Sequence, residues 1–405
     1  MRILFRRYLV PVLAAPYLAG CDAGAGVPTL SSPPEPGSAV VNRDPAWTRS
    51  TRWKMSRSPS VELGSRGERS RDLLKVVGVM RLDDGTIVVA NASSSELKYY
   101  DREGKFITSV GGSGWQPGQF RVLGWIDQLE TGELVAYDES ERSLQVFDAS
   151  GAYVRSLLGN YNAKQSGPFL TIQGVFDDES VLIHQSRLGE PTAGSQRSTD
   201  WFVRVPRYGL ATTVTDGLPG DEVVMHRFVN RSEIQRPPFG RSLHAAVAPT
   251  RFYVGDDDQY AISVYSPEGE LLHVVRLEGA ERPITEDVIK DYMDQRIAPN
   301  RDFSRSYLET PLRKLISHNT QPAFAAVRAD ADGNLWVRDF DVNMPANRKE
   351  RWNVFDPNGR YLGALEMPKA FTVLNIGVDY IGGVWKDAFG TERARVYDLK
   401  KPSHR

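Results

Sequence analysis

The sequence predicts an all-β protein, a six-bladed β-propeller of four-stranded antiparallel blades, and three observations predict it. A strand-and-turn pattern recurs six times between residues 83 and 399. The copies keep register: the polar residues closing their second strands, Asn91, Asp138 and Gln185, stand 47 apart, and Asp339 and Asp387 stand 48 apart. Each copy joins short β-branched and aromatic runs through Asp-, Gly-, Asn- and Pro-rich turns, which are hairpin signals. A period of roughly 40–50 residues with four strands per unit describes propeller blades rather than a helical solenoid.

The first copy is DDGTIVVAN (83–91) with LKYYDREGKFITSVG (97–111), and the second LETGELVAYD (129–138) with LQVFDASGAYVRSLLG (144–159). The third is degraded, FDDESVLIHQ (176–185) with WFVRVPRYGLATTVTDG (201–217). The fourth is APTRFYVGD (248–256) with ISVYSPEGELLHVVRLEG (262–279), and the fifth DADGNLWVRD (330–339) with WNVFDPNGRYLGALEM (352–367). The last, DYIGGVWKD (379–387) with RARVYDL (393–399), stops after three strands. An unpaired edge there is a liability. Residues Arg57 to Gly64 precede the first copy and are expected to supply the missing outer strand, closing the ring.

Residues 110–159 resemble the NHL repeat, through Gly112, Gly114, Pro117, Gly118, Phe120, Asp138, Phe147, Asp148 and Gly151. The resemblance covers most of residues 71–400, is sharp only around 83–159 and 330–363, and implies a fold but no activity. As a whole the chain resembles bacterial propeller lipoproteins.

The start, MRILFRRYLVPVLAAPYLAGC, reads as an export signal: Arg2, Arg6 and Arg7, then an apolar stretch from Tyr8 to Leu18. That stretch is too short for the roughly 20 residues a membrane span needs. Leu18-Ala19-Gly20-Cys21 resembles a lipobox, which implies removal of residues 1–20 and lipidation of Cys21, the chain's single cysteine. Several acyl chains anchor firmly where one binds marginally. Residues 21–52, rich in Pro, Ser, Gly and Ala, read as a tether, and 53–405 as the propeller. The expected location is the bacterial cell envelope.

Composition narrows the function. Hydrophobic residues are 40% and charged residues 25%, an ordinary globular balance. With 50 Lys and Arg against 51 Asp and Glu, no positive excess exists to hold a nucleic-acid backbone. One cysteine excludes internal disulfides and four-cysteine zinc sites. A monomer is expected.

Alternation of antiparallel strands puts the first-to-second and third-to-fourth turns on one face of the disc, all of them short. The long insertions, 112–120, 186–200, 217–247, 280–326 and 341–351, all fall on the opposite face. Loops on a rigid scaffold are where binding sites are built. The largest insertion, about 283–320, is expected to form a helical cap: one helix from Glu286 to about Ile297 capped by Thr285, and another from Pro311 to about His318. Basic residues concentrate on this face. The ligand-face candidates are Trp115, Trp201, Arg227, Arg236, Arg241, Arg296, Arg313 and Trp352, and they suit an anionic or carbohydrate-like ligand or a protein partner.

The expected function is therefore a binding or scaffold module at the envelope, with no cofactor. The alternative is a metal-dependent hydrolase or lyase at the channel mouth, using calcium or zinc. For it, His226, His244 and His318 are the weak candidates, assembled from different blades because no His pair has ligand spacing. Asp256, Asp257 and Asp258 read as a solvated turn. The set from Asn91 to Asp387 reads as turn caps.

Overall fold

The computed structural model describes residues 34–64, 73–158, 170–190, 194–227, 232–297, 304–342, 349–387 and 390–402, excepting the side chains of 226, 227, 232 and 233. The export signal and Cys21 lie outside the described residues.

Three short strands come first, β1 (Ser38–Asn42), β2 (Lys54–Met55) and β3 (Val61–Leu63). Blade 1 is β4 (Val76–Arg81), β5 (Ile87–Asn91), β6 (Glu96–Tyr100) and β7 (Phe106–Gly111). Blade 2 is β8 (Leu123–Gln128), β9 (Leu134–Asp138), β10 (Ser143–Phe147) and β11 (Tyr153–Leu157). Blade 3 is β12 (Leu170–Val175), β13 (Val181–Arg187), β14 (Ser195–Val205) and β15 (Thr212–Arg227), with β16 (Ser232–Gln235) added outside. Blade 4 is β17 (Leu243–Ala248), β18 (Arg251–Asp256), β19 (Ala261–Tyr265) and β20 (Leu271–Leu277). Helices α1 (Glu286–Ile297) and α2 (Arg305–Arg313) follow. Blade 5 is β21 (Ala326–Ala329), β22 (Leu335–Arg338), β23 (Lys349–Phe355) and β24 (Tyr361–Pro368); blade 6 is β25 (Phe371–Ile376), β26 (Tyr380–Lys386) and β27 (Glu392–Lys400).

The first strand of each blade is innermost: β4 touches β8 and β25, and β17 touches β12 and β21. Four blades carry a bulge in that strand, at its second residue in blades 1 and 2 (Val77, Gly124) and at its fourth in blades 3 and 6 (Gln173, Leu374). The core lies between blades. Phe176, Leu182 and Phe202 of blade 3 meet Phe252 and Val254 of blade 4, for example. Each such fully buried side chain contributes about 1.5–3 kcal/mol. Close approach fixes Gly78, whose added Cβ would stand 2.4 Å from Ile126 of blade 2.

The ring closes as expected. β3 pairs antiparallel with β27, Val61 opposite Val396 and Leu63 opposite Ala394, and β2 pairs with its far end. Glu62 receives Arg393 and Arg395. The start of the chain differs from expectation. Residues 38–42, read as tether, form a fifth, parallel strand on blade 4, pairing Ser38 with His273 and Asn42 with Leu277. Alternating Ala39, Val40 and Val41 can join a strand, and Asn42 caps the joint by accepting from Tyr361 N and donating to Gly359 O.

Two insertions also differ. Segment 217–227, read as loop, continues β15, which pairs Ser195 with Val224 and makes blade 3 overhang the elaborated face. Helix α1 matches its expected span, and Thr285 Oγ1 accepts from Val288 N. The second helix runs over Arg305–Arg313 rather than 311–318, with Pro311 in its last turn. Ion pairs from Arg305 to Asp294 and from Arg313 to Glu286 tie it to α1, and both arginines also pair with Glu309 within α2. The short turns of the opposite face are capped by their own acids: Asp101 accepts from Glu103 N and Lys105 N, and Asp148 from Ser150 N and Ala152 N.

Candidate functional site: a cleft between blades 3 and 4

On the elaborated face, a cavity of about 460 Å³ opens between blades 3 and 4. It is lined by Thr171, His184, Ser186, Asp200, Asp221, Arg236, Ser242 and His244, with Leu170 and Leu243. The register of blade 3 builds one wall. His184 and Ser186, two apart on β13, share a face, and Asp200 stands directly opposite Ser186 on β14. Asp200 is 2% exposed. It holds His184 Nε2 at 2.7 Å and accepts from Ser186 Oγ and Ser198 Oγ, both at 2.7 Å. Burial pushes the Asp200 carboxyl up, but the hydrogen bonds from His184, Ser186 and Ser198 outweigh it and hold the group below its ordinary range. The neighbouring strand carries glycine because a Cβ on Gly220 would stand 2.1 Å from Asp200 Oδ1 and from Ser198 Oγ. The His184 ring stacks on Phe202 at 4.9 Å.

Blade 4 repeats the arrangement. His244, on β17, meets Asp257 through Nε2 at 3.1 Å, and Asp257 also accepts from Ser242 N at 2.8 Å. Asp257 is 4% exposed, which corrects the reading of 256–258 as a solvated turn. The chain folds back so that β18 and β17 place Asp256 opposite Leu243; Asp257 is turned inward, while Asp258 stays exposed. Arg236 completes the cleft, paired with Asp221 and donating to Ser242 Oγ at 3.0 Å. Every basic group here has a carboxylate behind it. Each imidazole bonds through Nε2, which leaves Nδ1 as its other hydrogen-bonding atom.

A third histidine follows the same rule away from the cleft lining. His318 Nε2 meets Glu222 at 2.7 Å, and Glu222 accepts from Arg241 N at 3.0 Å. Burial raises the Glu222 carboxyl; the Arg241 amide and His318 outweigh it and leave it lowered.

The sequence-based candidates separate into three groups. The cleft takes Arg236 and His244. Others are structural. Arg241 is buried, donating to Asp258 at 2.8 Å and to the Thr320 carbonyl at 3.0 Å, so it is not a ligand-face residue. Trp352 is 3% exposed in the layer between blades 5 and 6 and is likewise removed from the surface. Trp201 lies on the opposite side of blade 3 from His184, packed toward blade 2 and donating to Gln185 at 2.6 Å. Arg313 serves the α1–α2 contact. The rest stay on the surface: Trp115 is 68% exposed, with the Arg121 guanidinium 4.0 Å over its ring. Arg296 lines a second, more apolar groove of about 580 Å³ with Tyr307, Leu308 and Leu312. His226 and Arg227 end β15, and their side chains lie outside the described residues, as does Cys21. His184, Ser186, Asp200 and Asp221 were not singled out from sequence. Among the described residues, no group of three or more His, Cys, Asp or Glu could hold a metal ion, and no helix is long and apolar enough to cross a membrane.

The fold defines a class, the six-bladed propellers. No protein-family model matches the chain, and no curated protein matches it. Among solved structures, a member of the duf4221 family from Bacteroides vulgatus is 8% identical, matching 87% of this chain and 100% of its own at a TM-score of 0.50. A Bacteroides fragilis protein described as exported is 12% identical over 90% of this chain and 99% of its own, TM-score 0.46. Virginiamycin B lyase from Staphylococcus aureus is 11% identical over 86% and 99%, TM-score 0.39. These are likenesses of fold.

Proposed function

We propose that this chain is an envelope lipoprotein, anchored through Cys21, that recognises a small ligand in the cleft between blades 3 and 4. The observation that carries the reading is the convergence of His184, His244 and Arg236 on one cavity. A buried carboxylate behind an imidazole fixes the orientation of the ring. Two such rings, a guanidinium and the hydroxyls of Thr171, Ser186 and Ser242 line the cavity with polar groups. The ligand that fits them carries a phosphate or carboxylate, with hydroxyls for the remaining groups, as in an acidic sugar derivative. Recognition is the reading, because the cleft gathers a guanidinium, two imidazoles and three hydroxyls on one cavity.

The test is isothermal titration of the full chain with inorganic phosphate and with glucose 6-phosphate. A saturable site that is weakened about tenfold or more in both His184→Gln and His244→Gln supports the reading. No binding of either probe, or equal binding in both variants, overturns it.

A further inference from the structure

Blade 5 carries unused hydrogen-bond donors on the side that faces blade 6. In register, Arg328 of β21 stands opposite Trp336 of β22, and Arg338 stands opposite both Ala326 of β21 and Trp352 of β23. Directly opposed residues share a face, so Arg328, Arg338 and Trp352 belong to one surface. It is the surface that forms the core layer with Phe371 and Tyr397 of blade 6. Trp352 is 3% exposed, and its Nε1–H has no acceptor. The Arg338 guanidinium lies 5.9 Å from the Trp352 ring; one of its nitrogens donates to Glu350 at 2.9 Å, while its buried Nε–H also has no acceptor. Arg328, on the innermost strand, is open to water yet enclosed by protein. That enclosure, and then the Arg338 charge beside it, push its guanidinium down. Among the described residues Glu350 pairs with Arg338 and Arg328 has no ion pair, which leaves the two guanidinium groups one positive charge in excess.

Buried donors of this kind are rarely left unmet, because each costs on the order of 1–3 kcal/mol without a partner. Chains also keep two guanidinium groups together mostly where something negative lies between them. We infer that Arg328, Arg338 and Trp352 form an oxyanion-binding site between blades 5 and 6, separate from the cleft between blades 3 and 4. Its ligand class is a small tetrahedral or planar oxyanion, accepting from Arg338 Nε–H and Trp352 Nε1–H and neutralising Arg328. The site needs no residue of the proposed cleft, so either can fail alone.

The test is a crystal of the full chain soaked in sodium selenate, with anomalous scattering used to locate selenium. The expected result is a selenium peak within hydrogen-bonding reach of Arg338 and Trp352, present in His184→Gln and absent in Arg328→Gln. Thermal titration supplies a second readout in case the variant crystallises poorly. Phosphate should raise the melting temperature of the His184→Gln protein at constant ionic strength, with half-saturation shifted about tenfold or more in Arg328→Gln. An ordered water bridging Arg338 and Trp352 with no selenium peak overturns the inference. So does a peak that persists unchanged in Arg328→Gln, which is an adventitious ion only.

Discussion

Arg241 and Thr320 meet at the base of the helical insertion, where the guanidinium donates to the Thr320 carbonyl at 3.0 Å and to its hydroxyl at 2.9 Å. The same guanidinium pairs with Asp258, and the Arg241 amide donates to Glu222, which holds His318. One buried arginine therefore pins the insertion to blades 3 and 4 beside the cleft. Removing one partner of a buried charge pair typically costs about 3–5 kcal/mol, and Asp258 is half exposed, so Arg241→Ala should cost about 3 kcal/mol. Denaturant unfolding checks the value. Hydrogen exchange in α1 and α2 should rise in the same variant; a wild-type midpoint would show the latch to be idle.

The closing strand should matter more than the added one. Leu63 of β3 is 5% exposed against blade 6, whereas Val41 of β1 is 53% exposed. Leu63→Ala should cost about 2–4 kcal/mol, and Val41→Ala less than about 0.5 kcal/mol. Comparing the two midpoints tests whether the ring is closed by β3.

His273 should make stability pH-dependent. Its ring is buried, with Nε2 unpartnered, and burial lowers its pKa to about 4, with Arg251 adding to the effect. The folded state therefore binds fewer protons than the unfolded chain between about pH 4 and the ordinary histidine value near 6.5. Stability should fall as pH drops through that window and level off below it. His273→Gln cannot take the proton, so its melting temperature should vary less with pH there. Parallel curves for the two proteins would remove His273 from the account.

Anchoring has a direct check. Cys21→Ser should move the protein from the membrane fraction to the soluble or secreted fraction. Unchanged association would mean that something other than a lipid on Cys21 holds it.

The period, the turns and the closing strand were legible in the sequence because each is local or repeats: an Asp-x-x-Gly turn caps itself, and Asn91 and Asp138 keep the same place in successive blades. Thr285 marked the start of α1 for the same reason. Pro311 misled, because a proline favoured in a first turn here sits in a last one. The cleft was only half legible. His244 and Arg236 were visible on the elaborated face, but His184 acquires meaning only through the β13–β14 register that brings Asp200, 16 residues away, against it. Arg241 looked like a surface group because insertions usually are surface, and Trp352 because it directly follows one. Burial in those places comes from contacts with Thr320 and with blade 6, which no local pattern records.

The measurement that tests the central claim most directly is mass spectrometry of small molecules released from the protein purified from its own membranes. Wild type should be compared with Arg236→Glu and, as a control on the short-turn face, Asp84→Arg. The account predicts a phosphate- or carboxylate-bearing molecule near one equivalent on the wild type and on Asp84→Arg, and its loss from Arg236→Glu. The same molecules in equal amount on all three proteins would contradict it.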